Sequence, residues 1–219
     1  MSKKLRIGAL ASGGGTNLQA IIDRCQDGSL PAEIVLVISN NQDAGALERA
    51  SKAGIPVACI DHRSYASREE FDHRVVSALQ NAKVDLVILA GFMRIISEIF
   101  VEAFPNRIMN IHPALLPAFP GLHVQRKALE YGVRISGCTV HFVDTGTDTG
   151  PIIIQAAVPV LDSDTEATLS ARILEQEHQI YPRAIQLFAE GRLRVSGRRV
   201  CIDPPDDWCP QSLANPAIC

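Results

Sequence analysis

Five short apolar runs, each followed by a loop and then a stretch with helical spacing, constrain this chain more than any other feature. They occupy residues 5–11, 34–38, 57–60, 84–90 and 108–111. A strand with one wet face alternates polar and apolar residues. A run such as Ile34-Val35-Leu36-Val37-Ile38 is apolar in both parities and belongs to a strand buried on both sides. Between the runs lie amphipathic segments at 18–22, 44–53, 67–82 and 97–104. Ser67-Arg68-Glu69-Glu70 opens one as a capping box, and Gly54 and Pro56 close another. This alternation predicts an α/β fold, a mostly parallel twisted sheet with helices on both faces. Beyond residue 121 the pattern changes. Residues 122–130 read as helix, 137–143 as a strand with one wet face, and 151–160 as a strand returning antiparallel to it. A long helix follows over 164–192, with Pro182 inside it. Residues 1–197 are thus read as one domain. Residues 198–219, with Pro204, Pro205 and Pro210, are read as a loosely packed tail.

In open parallel sheets ligands bind beyond the carboxyl ends of the strands, and three chemically loaded segments fall there. Ser12-Gly13-Gly14-Gly15-Thr16-Asn17 joins the first strand to a helix, an arrangement that suits a phosphate because glycines let backbone N–H groups approach it. It is not the dinucleotide fingerprint, since Leu18 stands at the third glycine position, and no Gly-Lys-Ser/Thr follows as in a P-loop. Gly91-Phe92-Met93-Arg94 follows the fourth run. Asn110-Ile111-His112-Pro113 leaves the fifth, and Pro113, Pro117 and Pro120 keep the chain from continuing there as helix or central strand. On an extended backbone Asn110 and His112 point to the same face. An amide can donate to a developing oxyanion, and imidazole is the side chain that changes charge near neutrality. A histidine in that role needs a carboxylate beside it, and spacing leaves Asp144, Asp148 and Asp162 as alternatives.

The net charge of −3 and a pI near 6.1 give no support for a nucleic-acid surface. No run reaches the roughly 18–20 apolar residues of a membrane span. The basic start at Lys3 and Lys4 leads into a run broken at Gly8, a strand and not a signal sequence. The expectation is a cytoplasmic protein with neither a membrane nor a nucleic-acid partner. Cys25, Cys59 and Cys138 sit in apolar contexts and read as core thiols. Cys201, Cys209 and Cys219 form no C-x-x-C pair, so no metal site is expected.

These pieces, with Asp148-Thr149-Gly150-Pro151 and Gln176-Glu177-His178-Gln179-Ile180-Tyr181-Pro182, resemble in content and order the phosphoribosylglycinamide formyltransferase family, folate-dependent enzymes of purine synthesis. The resemblance spans roughly residues 5–195. It departs mildly at Thr16 and Ala114, where the family usually has serine. It implies a Rossmann-like formyltransferase fold and transfer of the formyl group of 10-formyltetrahydrofolate to the amine of glycinamide ribonucleotide. By the same resemblance Gly15, Thr16 and Asn17 hold the ribonucleotide phosphate and Glu177 touches its ribose. Arg68, Met93, Arg94, Ile95, Ile96 and Asn110 line the folate site. Asn110 bonds the formyl oxygen, His112 acts as the protonated catalyst, and Asp148 keeps it so. No metal is required, the substrates are small molecules, and the assembly is a monomer or homodimer. Two rivals share the chemistry, a formyltetrahydrofolate hydrolase and an initiator-tRNA formyltransferase, but both carry an extra domain. A non-catalytic nucleotide-binding domain would keep the glycine turn and have no use for Asn110, His112 and Asp148 together.

Overall fold

The structure is a computed structural model that describes residues 4–203. The chain divides into two compact units, Met1–Asn110 and Ile111–Cys219.

The first unit alternates strand and helix: β1 (Leu5–Ala11), α1 (Thr16–Gln26), β2 (Ala32–Ser39), α2 (Gly45–Lys52), β3 (Val57–Cys59), α3 (Arg68–Asn81), β4 (Leu86–Leu89), α4 (Glu98–Ala103) and the start of β5 (Ile108–His112). Every pairing is parallel. β1 lies between β2 and β4, β3 flanks β2, and β5 joins β4 through Val87↔Ile108, Ile88↔Met109 and Leu89↔Asn110. Ile7, Ala9, Leu10 and Ala11 are fully buried, so both parities of β1 are covered, as the continuous apolar runs require. Leu18, Ile21 and Ile22 of α1 and Phe71, Val75 and Leu79 of α3 are buried as well. Gly8 makes room for Leu79, since a Cβ there would lie 2.4 Å from Leu79 Cδ2. The Ser67 hydroxyl caps α3 by accepting from Glu70 N at 3.1 Å. The Glu70 carboxylate reaches back one residue further than a strict box, to Ala66 N at 3.1 Å. One cysteine differs from the reading: Cys59, at the end of a three-residue strand, is exposed. Burial pushes the Cys25 thiol up to about 11.

The second unit holds α5 (Val124–Tyr131), the antiparallel pair β6 (Ile135–Phe142) and β7 (Ile152–Pro159), the long α6 (Glu166–Ala189), and β8 (Leu193–Ser196) with β9 (Arg199–Ile202). α6 starts on a capping box of Thr165 and Thr168 and runs through Pro182. Beside its start, the Arg172 guanidinium binds both Asp164 oxygens, at 2.7 and 2.8 Å, and holds that carboxyl well below the usual carboxylate range.

Two expectations are corrected here. β6 has no wet face: from Ser136 to Phe142 every residue is buried. Its alternating polarity arises because Thr139 and His141 find protein acceptors instead of water, at Ala114 O and Phe142 O. Residues 199–202, assigned to a loose tail, form a strand. β8 and β9 pair antiparallel around a two-residue turn, Gly197-Arg198, with Gly197 at φ +58°. The rest of the expected tail, 204–219, lies outside the described residues. Among those described, no helix is long and apolar enough to cross a membrane.

Gly137 of β6 has no room for a side chain, because a Cβ would sit 2.0 Å from the carbonyl oxygen of Ala156 across the pair. Gly137→Ala should therefore wedge β6 from β7 and cost about 1–3 kcal/mol, the usual range for overpacking. A urea melt whose midpoint matches that of the parent protein would show the pair to be looser than described.

Candidate active site

In the first unit, β1 ends at Ala11 and Ser12 ties together the loops beyond the strands. Its N–H donates to Gly91 O at 3.0 Å. Its hydroxyl donates to Asn40 Oδ1 at 2.6 Å and accepts from Met93 N at 2.8 Å. Gly15 then caps α1 with φ +74°, a left-handed geometry that favours glycine. A Cβ at Gly15 would also lie 2.7 Å from Ala46 Cα. Thr16 and Asn17 follow as the first residues of α1. The turn therefore presents the start of an 11-residue helix with no side-chain cap.

The segment after β4 carries Met93, Arg94, Ile95 and Ile96. Met93 and Ile95 are 63% and 61% exposed, whereas Ile96 is buried. Arg68, the first residue of α3, pairs with its neighbour Glu69 at 3.2 Å. The segment ends at Ser97, whose N–H donates to the buried Asp72 carboxylate of α3 at 2.5 Å. Burial raises the pKa of Asp72, and Ser97 opposes the shift.

The second unit begins inside β5 and contains a cluster of two histidines and an aspartate. His112 is 5% exposed. Its Nε2 lies 2.9 Å from Phe119 O, so this nitrogen carries a hydrogen and donates. Its Nδ1 lies 3.4 Å from Asp148 Oδ2. An acceptor therefore lies beside each ring nitrogen. Asp148 is itself held in place. It adopts φ +54°, and its Oδ2 accepts from Gly121 N at 2.8 Å. Its other oxygen lies 3.8 Å from Nε2 of His141, which is 2% exposed. Burial lowers the pKa of His141, with Phe142 O and Asp148 opposing, so that ring is neutral at pH 7. Of the two histidines beside Asp148, His112 lies the nearer, at 3.4 Å against 3.8 Å.

The structure thus selects among the three carboxylates that spacing left open. Asp144 accepts from Gly146 N at 3.1 Å and from the Thr149 hydroxyl at 2.6 Å, and Asp162 pairs with Arg134. Asn110 stands two positions before His112 on β5, in register with Leu89. Glu177 is buried on α6 at 6% exposure. Among the described residues no group of three or more His, Cys, Asp or Glu could hold a metal.

Sequence reasoning missed the residues that hold the proline loop. The Thr139 hydroxyl donates to Ala114 O at 2.6 Å and accepts from Leu116 N at 3.1 Å. Gln155 Nε2 donates to Leu116 O at 2.9 Å and to the same hydroxyl at 3.0 Å. Nothing in the residue order distinguishes this threonine from a surface one.

Comparison with known proteins places these features in context. The profile of the formyl transferase family matches residues 5–185. The phosphoribosylglycinamide formyltransferase of Escherichia coli K12 is 45% identical over 208 residues, covering 93% of this chain and 98% of that protein. The trifunctional purine biosynthetic protein adenosine-3 of Drosophila pseudoobscura is 54% identical over 191 residues, 86% of this chain, but the chain spans only 14% of that relative's length. Among solved structures, glycinamide ribonucleotide transformylase 1 from Symbiobacterium toebii is 57% identical with a TM-score of 0.91, covering 92% of this chain and 95% of that one.

Replacing Thr139 by valine keeps the shape and leaves Ala114 O and Leu116 N short of a buried partner. The expected loss is about 1–3 kcal/mol of stability, the cost of an unsatisfied buried polar group. Chemical denaturation measures it directly, and a loss near zero would mean the loop does not depend on this hydroxyl.

Proposed function

The chain belongs to the formyl transferase family, and on that premise we propose that it transfers the formyl group of 10-formyltetrahydrofolate to the amine of glycinamide ribonucleotide. The observation that carries this reading is the buried His112, with Asp148 at one ring nitrogen and a carbonyl at the other. An imidazole so placed can pass a proton between reacting groups.

The amine nitrogen attacks the formyl carbon, and the C=O π electrons move to oxygen. Asn110 and the Nε2–H of His112, the donor that Phe119 O accepts in this structure, stabilise the oxyanion. The tetrahedral centre collapses as the bond to N10 of the folate breaks and that nitrogen takes a proton from His112. The proton lost by the attacking amine replaces it, so the sum is formylglycinamide ribonucleotide and tetrahydrofolate with no net proton change. Asp148 keeps the ring oriented throughout. Gly15, Thr16 and Asn17 hold the phosphate through the free amides of a helix start, and Glu177 meets the ribose. Arg68, Arg94 and the apolar Met93, Ile95 and Ile96 receive the folate. Formyl transfer is assigned to residues 1–197, in the cytoplasm, with small molecules as the only substrates.

Release of the folate product is followed by absorbance. Turnover should require the ribonucleotide; equal turnover in its absence would make water the acceptor and the protein a hydrolase. His112→Ala should lower kcat by roughly 10²–10³, the range for removal of one oxyanion donor, with KM for the ribonucleotide little changed. A variant that turns over at the parental rate would end the assignment of His112.

A further inference from the structure

We infer that Arg49 of α2 is a positioning residue for the ribonucleotide phosphate, acting by fixing which way the peptide groups of the glycine turn face. The inference rests on the assignment of the phosphate to that turn.

Three successive glycines, Gly13, Gly14 and Gly15, have no Cβ to set their peptide planes, so a peptide there can flip at little steric cost. In a trans peptide the C=O and the N–H that follows it point to opposite sides. Two bonds from α2 therefore decide the outcome. Ala46 N donates to Gly13 O at 3.1 Å, and Arg49 Nε donates to Gly14 O at 2.8 Å. With both carbonyl oxygens drawn toward α2, the N–H groups of Gly14 and Gly15 face away from it. Among the described residues neither N–H donates to another group. Two successive backbone N–H groups on one side form an anion-binding concavity that leads into the α1 N-terminus.

Of the two bonds, the one from Arg49 is charge-assisted and hence the stronger. The guanidinium is anchored further by Nη1, which donates to Gln19 Oε1 on α1 at 3.3 Å. Half-buried, it borders a groove of about 600 Å³ with Gln26, Glu48 and Lys52. Without Arg49 the peptide between Gly14 and Gly15 is free to turn, presenting a carbonyl oxygen to the phosphate in place of an N–H.

Steady-state kinetics on the full chain test this, with inorganic phosphate as a competitive probe. Arg49→Met keeps the aliphatic stem and removes both bonds. It should raise KM for the ribonucleotide and Ki for phosphate about tenfold, the effect of losing one charge-assisted hydrogen bond. The value of kcat, KM for the folate and the melting temperature should stay near those of the parent. Arg49→Lys, which can still reach Gly14 O, should recover part of the loss. Asn17→Ala, within the turn, serves as the control for the phosphate assignment. Raised KM in Asn17→Ala with parental KM in Arg49→Met overturns the role of Arg49 alone. Parental KM in both overturns the phosphate assignment and this inference with it. A fall of kcat and melting temperature together with a rise in both KM values in Arg49→Met makes the residue merely structural and also overturns the inference.

Discussion

A strand buried on both faces tolerates a polar side chain only where the protein supplies it a partner, and this constraint governs where chemistry appears in the first unit. β1 and β4 are covered on both sides. Their backbone groups are satisfied by the parallel ladder, and from Ile7 to Ala11 and from Leu86 to Leu89 they carry no polar side chain. Polar groups enter where the ladder stops: Ser12 after β1, the 91–97 segment after β4, and Asn110 where the unit ends on β5. The loops there have few partners within the sheet, so they bond to one another. Ser12, with its N–H on Gly91 and its hydroxyl between Asn40 and Met93, does most of this joining.

The second unit obeys a different rule. A carboxylate with little access to water needs partners inside the protein, and Asp148 has the Gly121 amide and two imidazoles around it. The imidazoles are not equivalent. His141 bonds Phe142 O through Nδ1 and is pushed toward its neutral form by burial, while His112 is bracketed by two acceptors. The ring nearer to Asp148 is the one on the same strand as Asn110.

Most of the α/β architecture was legible because its signals are local. Apolar runs, helix starts such as Ser67 and Thr165, and glycines at helix ends act within a few residues of where they stand. The five parallel strands and the antiparallel pair fall within a few residues of the expected positions. What escaped was non-local. Residue order cannot show that the Thr139 hydroxyl meets Ala114 O, so β6 read as half-wet. It cannot show that Asp144 is taken by Thr149 and Asp162 by Arg134, which leaves Asp148 for His112. The β8–β9 hairpin escaped for another reason: Arg194, Arg198 and Arg199 mask its apolar content, and its turn, Gly197-Arg198, is a weak signal among charges.

Met93 and Ile95 expose apolar surface to water beside a loop that is otherwise held by hydrogen bonds. Water around such surface has a high heat capacity, and a ligand ring that covers it releases that water. Association at this segment therefore carries a negative heat-capacity change, and its enthalpy becomes more favourable on warming. An anion seated on the backbone amides of the glycine turn covers almost no apolar surface and lacks that signature. Two ligands of one enzyme would then respond differently to temperature in a calorimeter, so their sites could be told apart without a mutation.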